Sequence, residues 1–213
     1  MFTGIIEEIG KIVRLSKKGG GICVHVSSPK SIKELEVNDS VAVNGACQTV
    51  ISKKGDSFEV EAVEETLKKT TFSSLKIGER VNLELPMKLN ERLGGHLVLG
   101  HIDCVGKIMR IDKRESSWMF SIQFPKQFSK YTIPIGSIAI DGVSLTIAGL
   151  KENNIQLSII PHTMENTIFK FRKVNDIVNI EFDVIGKYIE RIMDSNLNQK
   201  VRLSEHKLRE AGY

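Results

Sequence analysis

Ser40-Val-Ala-Val-Asn-Gly45-Ala-Cys47-Gln48-Thr49-Val50 returns 97 positions later as Ser137-Ile-Ala-Ile-Asp-Gly142-Val-Ser144-Leu145-Thr146-Ile147. Upstream, Gly4-Ile5-Ile6-Glu-Glu-Ile-Gly10-Lys11-Ile12 returns 96 positions later as Gly100-His101-Ile102-Asp-Cys-Val-Gly106-Lys107-Ile108. Downstream, Glu65-Thr66 through Val81-Asn82-Leu-Glu84 matches His162-Thr163 through Val178-Asn179-Ile-Glu181. One inserted residue between Pro125-Lys126 and Ser137 accounts for the change of offset. A period of this length exceeds the roughly 20–50 residues of solenoid repeats and suits an independent domain. The chain therefore divides into 1–96, 97–186 and a remainder, 187–213. Two copies of one domain imply two related sites, and the differences between the copies mark where function is to be sought.

Within each copy the pattern is β. Ile22–Val26, Ser40–Val43, Phe58–Val63 and Val81–Leu85 are short runs rich in β-branched residues, echoed by Met119–Phe124, Ser137–Ile140, Ile155–Ile160 and Val178–Phe182. Lys18-Gly-Gly-Gly21, Lys53-Lys-Gly-Asp56 and Ile77-Gly-Glu79 supply the turns. Gly19 to Gly21 lack a following Lys-Ser or Lys-Thr, so they form a hairpin turn and not a phosphate loop. About six short strands per copy suggest a small closed barrel, since closure removes exposed edges. Short helices are expected at Ser31–Leu35 and Gln127–Tyr131. The tail departs from this: Ile185, Tyr188, Ile189, Ile192 and Met193 fall at helical spacing, opposite Lys187, Glu190, Arg191 and Asp194. Such a helix either caps its own core or meets its copy on another subunit.

Composition narrows the function classes. With 41% hydrophobic and 26% charged residues the chain reads as an ordinary soluble protein, and its net charge of +4 is scattered, so no nucleic-acid stripe stands out. No apolar run reaches the ~18 residues of a membrane span. Two glutamates among the first eight residues argue against a secretory leader. Cys23, Cys47 and Cys104 are odd in number and widely spaced, which fits free thiols in a reducing cytoplasm. His96, His101 and Cys104 resemble a metal set, but on a strand their spacings put neighbours on opposite faces, and no metal site is expected.

Taken together, Met1-Phe-Thr-Gly4-Ile5, Asn44-Gly-x-Cys47-x-Thr49, Gly94-Gly-His96-Leu-Val-x-Gly100-His101-Ile-Asp103, Ile140-Asp-Gly-Val-Ser144-Leu-Thr146, Ile160-Pro-His-Thr163 and Ile180-Glu-Phe-Asp183 resemble the riboflavin synthase family of the alpha-chain type. The resemblance spans the whole chain. It implies an all-β fold of two homologous six-stranded antiparallel Greek-key barrels in tandem, plus a C-terminal α-helix that joins a homotrimer. It also implies a cofactor-independent dismutation of two 6,7-dimethyl-8-ribityllumazine molecules in the cytoplasm, with possible association with lumazine synthase. Each catalytic site would lie between the first barrel of one subunit and the second barrel of its neighbour.

The resemblance and the repeat together nominate the site. In the first copy the ligand-contacting residues are Gly4, Ile5, Ile6, Cys47, Gln48, Thr49, Glu61, Ala62, Val63, Glu64, Glu65 and Thr66. In the second they are Gly100, His101, Ile102, Ser144, Leu145, Thr146, Ser158, Ile159, Ile160, Pro161, His162 and Thr163. Extended backbone there would pair with the pteridine edge, and the threonine hydroxyls would orient the ring or ribityl chain. As a thiolate, Cys47 could add to C7 of one lumazine or position a hydroxide there, whereas its counterpart Ser144 could hydrogen-bond. An imidazole such as His101 suits removal of the C7-methyl proton. Asp183 and Ser40 are weaker candidates, for stabilising charge and for helping to activate a nucleophile. Gln48 stands where the family commonly has leucine and Leu99 where a small or polar residue is common. Ile135 stands where a lysine often appears, so no polar contact is expected from it. A binding-only antenna protein is the alternative. Such proteins tend to lose the second-barrel Gly-His block and the tail helix, both of which are present here.

Overall fold

The computed structural model describes residues 1–194; the remainder of the expected tail, 195–213, lies outside the described residues. Among the described residues twelve strands close into two antiparallel barrels. The first comprises β1 (Glu8–Lys18), β2 (Gly21–Ser27), β3 (Ser40–Val43), β4 (Ala46–Lys54), β5 (Ser57–Ala62) and β6 (Arg80–Glu84). The second comprises β7 (Cys104–Lys113), β8 (Trp118–Gln123), β9 (Ser137–Ile140), β10 (Val143–Lys151), β11 (Asn154–Ile159) and β12 (Ile177–Phe182). The first barrel runs β1-β2-β5-β4-β3-β6 and the second repeats these neighbours. The crossed connections that set β2 beside β5 and β3 beside β6 give the Greek-key order.

Closure needs bends, and these occur at matching places. The pairing slips by one residue between Ile12 and Arg14 and between Val50 and Ser52. The slips recur between Ile108 and Arg110 and between Ile147 and Gly149. Such bulges sharpen strand twist and let a short sheet curl shut. Alternation then sends Phe58, Val60 and Ala62 into one core and Ile155, Leu157 and Ile159 into the other.

Two short helices were not expected. α1 (Glu64–Lys69) and α2 (Pro161–Asn166) each follow the fifth strand of their barrel. α1 has Glu64 and Glu65 in its first turn and Lys68 and Lys69 in its last, the charge order that suits the helix dipole. α2 starts on a proline, whose fixed φ is favourable at the first helical position. The helices expected near residues 31 and 127 are 3₁₀ turns at Ser31–Lys33 and Lys126–Tyr131. Residues 1–183 form one compact unit; in the other, residues 184–194 are the helix α3, beginning three residues before the expected boundary.

A hydrogen-bond exchange joins the barrels about a pseudo-twofold. Asn82 Nδ2 donates to the Asp141 carbonyl at 2.9 Å, and Asn179 Nδ2 donates to the Asn44 carbonyl at 2.8 Å. Their side-chain oxygens accept from the Ile168 and Thr71 backbone N–H groups, both at 2.8 Å. The symmetry breaks at one pair. Asn44 in the first copy is Asp141 in the second, where Arg172 replaces the core residue Leu75 and donates to the Asp141 carboxylate at 2.5 Å. Burial pushes the Asp141 carboxyl up from the ordinary aspartate range, against the pull of Arg172. Arg172→Met is therefore expected to destabilise the fold by about 3–5 kcal/mol in urea titration, since it strands a buried charge. Adding Asp141→Asn, which restores the first barrel's pattern, is expected to recover most of that loss.

Candidate active site

The segments that lead into the barrels cross over. Residues 2 to 6 precede the first barrel, yet Ser144 N–H of the second donates to the Gly4 carbonyl at 2.8 Å. Reciprocally, Cys47 N–H of the first barrel donates to the Gly100 carbonyl at 2.9 Å. Phe2 and Val98 pair where the two segments meet. The buried carboxylate of Glu84 fixes one segment through the Thr3 N–H at 2.6 Å and the Gly4 N–H at 3.0 Å. Glu181 fixes the other through the Leu99 N–H at 2.8 Å and the Gly100 N–H at 3.0 Å. Gly4 and Gly100 have φ of 79° and 81°, and an added Cβ would meet Ser144 and Cys47 Cβ at 2.5 and 2.6 Å, so glycine is required at both.

This crossing groups residues from the two copies. Gly100, His101 and Ile102 lie against the first barrel. They border a cleft of about 260 Å³ in the first barrel with Ala46, Cys47, Gln48, Glu65, Thr66, Lys69 and Thr70. Ile102 joins the first core, and Ile6 packs against the second. Cys47 and His101, expected in separate pockets, share one. At its mouth Lys69 pairs with Glu65 at 2.8 Å; the counterparts in the second copy are Asn166 and His162, joined by a 2.8 Å bond from Asn166 Nδ2 to the His162 carbonyl.

The homologous place in the second copy has its own imidazole. His96 Nδ1 lies 2.7 Å from Ser144 Oγ, and Gly95 sits so close to Ser144 that a Cβ there would stand 2.8 Å from the hydroxyl. Burial lowers the His96 pKa from the ordinary histidine value, partly opposed by Asp183, which favours the neutral ring. A neutral imidazole can accept the Ser144 proton. The sequence reading set His96 aside with a metal-like trio, reasoning from strand geometry. Residues 95–103 are not a strand apart from the single bridge at Val98, so that argument does not apply. Among the described residues no group of three His, Cys, Asp or Glu could hold a metal ion. The Gly94-Gly95 pair was the usable signal, because it allows the chain to approach Ser144.

The other nominated residues fall into several settings. Ser40 and Thr49 sit opposite one another across β3 and β4, as Ser137 and Thr146 do in the second barrel. Ala62 and Ile159 are fully enclosed in the cores. Glu61 is held by Lys18 at 2.5 Å, and Ser158 is exposed at the matching place. Val63 and Ile160 are extended, but Glu64–Thr66 and Pro161–Thr163 are helical, which corrects the expectation of extended backbone through both segments. Leu145 packs on the second core and Ile5 is half exposed beside Gly94. Ile135 is 83% exposed with φ of 62°, an uncommon angle for a β-branched residue. A larger cleft, about 640 Å³, lies between Thr71–Arg80 and Ile168–Ile177. It contains none of the nominated residues, and the smaller cleft is preferred because it brings a thiol and an imidazole together.

Two barrels of one topology, with unlike residues at matching positions, define a tandem duplicated-barrel protein of the lumazine-binding class. The Lumazine binding domain model matches residues 3–86 and 99–183. Riboflavin synthase of Actinobacillus pleuropneumoniae is 40% identical over the full length of both chains. That of Bacillus subtilis (strain 168) is 41% identical over 91% of this chain and 90% of its own. Among solved structures, LumP complexed with riboflavin superposes with a TM-score of 0.80 at 26% identity, covering 85% of this chain and 99% of LumP. LumP complexed with 6,7-dimethyl-8-(1'-D-ribityl) lumazine superposes at 0.78 with the same identity and coverage. The chain belongs to the riboflavin synthase family.

Proposed function

We propose that this protein makes riboflavin from two molecules of 6,7-dimethyl-8-ribityllumazine, one passing a four-carbon unit to the other and leaving as 5-amino-6-ribitylaminouracil. The observation that carries the reading is the cleft in the first copy that holds Cys47 with His101, set against the homologous place in the second copy, where Ser144 meets His96. Exchange between two copies of one molecule needs two related pockets and involves no net oxidation, so the reaction is read as a transferase step without a redox cofactor. The active unit is a homotrimer in the cytoplasm, in which the first pocket of one subunit opposes the second pocket of its neighbour. Association with lumazine synthase would suit a substrate delivered directly.

In this reading His96, acting through the Ser144 hydroxyl, takes the C7-methyl proton of the lumazine held by the second barrel. This replaces the base role expected of His101, because His101 lies in the other pocket. The resulting carbanion attacks the lumazine of the first barrel, where Cys47 engages C7 and His101 borders the same ring. The test is direct: purified protein incubated with dimethylribityllumazine alone should develop riboflavin absorbance. Ligand binding without riboflavin formation would instead support the antenna-type alternative.

Cys47→Ser makes the first pocket resemble the second. It is expected to keep the fold and riboflavin binding while kcat falls by about 10²-fold, the lower part of the range for a positioned reacting group. Enzyme-promoted deuterium exchange of the lumazine C7-methyl group should survive, because that step belongs to Ser144 and His96. Unchanged turnover would reduce Cys47 to a packing residue.

A further inference from the structure

The floor of the first pocket is polar where its counterpart is apolar. Gln48 follows Cys47 on β4, and strand alternation turns it inward, leaving it 6% exposed at the end of the barrel. Its Nε2 donates to the Cys47 carbonyl at 2.6 Å. Because that carbonyl can only accept, the orientation of the amide is fixed. The Oε1 atom is left buried without a hydrogen-bond partner among the described residues. Gln48 lines the cleft beside Cys47, Thr66, Gly100 and Ile102. The matching residue of the second barrel, Leu145, simply packs against its core.

Leucine would fill this position without stranding an acceptor, so glutamine costs stability here. A local loss of that kind at a pocket floor is expected where function requires the group. We propose that Gln48 is the specificity-determining residue of the first pocket, its Oε1 accepting a hydrogen bond from the imide N–H of a bound pyrimidinedione ring. The second Nε2 hydrogen then faces the adjacent ring carbonyl, a two-point match of the kind by which carboxamides read heterocycle edges. The two copies of the chain thus differ at this position, the first offering the ring a hydrogen bond and the second an apolar side chain. The inference rests on the reading of this cleft as a lumazine pocket.

The experiment uses the full chain, its Gln48→Leu variant and, as a second variant, Gln48→Met. Each is titrated with riboflavin and with riboflavin methylated at the imide nitrogen, and each is melted without ligand. Wild type is expected to bind riboflavin about tenfold or more tighter than the methylated analogue, as sites built around a ligand hydrogen bond discriminate. In both variants that preference should shrink toward parity, while the ligand-free melting temperature rises. A preference unchanged by substitution, or a wild type that does not discriminate, would overturn the role of Gln48 while leaving the pocket in place. A wild type that binds neither compound and makes no riboflavin would overturn the reading of the pocket itself, and this proposal with it.

Discussion

A chain ending after Gly186 is expected to fold into both barrels yet form riboflavin at a rate lower by about 10³-fold or more. Residues 1–183 form a compact unit with complete strand sets, so the barrels do not need the tail. The helix over 184–194 presents Ile185, Tyr188, Ile189, Ile192 and Met193, each more than half exposed. An apolar stripe of this kind suits contact with a second copy of itself. If the proposed trimer builds each catalytic site from two subunits, losing it removes the proximity that a face-to-face transfer depends on. That effect reaches roughly 7–11 kcal/mol in favourable cases. Sedimentation and a riboflavin assay on the truncated protein check this together. An intact, active trimer would refute the assembly role given to the helix.

Gly142→Ala is expected to destabilise the protein by about 2–6 kcal/mol and to abolish most activity. Gly45 and Gly142 face each other where the barrels meet, with φ of 77° and 82°. A Cβ on Gly142 would stand 2.8 Å from the Gly45 nitrogen and 2.9 Å from its Cα. Backbone, unlike a side-chain tip, cannot swing aside, so the barrels must separate. Separation also pulls Gly4 from Ser144 and Gly100 from Cys47, loosening both lead-in segments at once. Gly45→Ala should behave alike, for the mirror-image reason. Thermal melting and turnover of the two variants provide the measurement; a wild-type melting temperature in either would show that the contact is slack.

Much of this was readable in advance. Repetition of whole blocks revealed two copies, and β-branched runs between glycine turns revealed strands, because both signals are local and recur. α1 and α2 were missed because six residues are too few to display a helical period, although Glu64-Glu65 with Lys68-Lys69 and the proline at 161 mark their ends. Asn82 and Glu84 were visible as repeated residues, but nothing in their spacing says that one reaches across to Asp141 and the other holds Thr3 and Gly4.

Duplication, barrel strands, family and the residue types available for chemistry are all legible in the order of amino acids. Which residues share a pocket depends on how the two copies pack. Chain order assigned Gly4–Ile6 to the first copy and Gly100–Ile102 to the second. The fold exchanges them, because both lead-in segments cross at the pseudo-twofold and satisfy their backbone groups on the opposite barrel. His101 therefore meets Cys47, and His96, 48 residues from Ser144, becomes its hydrogen-bond partner. Buried backbone donors and acceptors must be paired somewhere, and here the partners lie in the other copy.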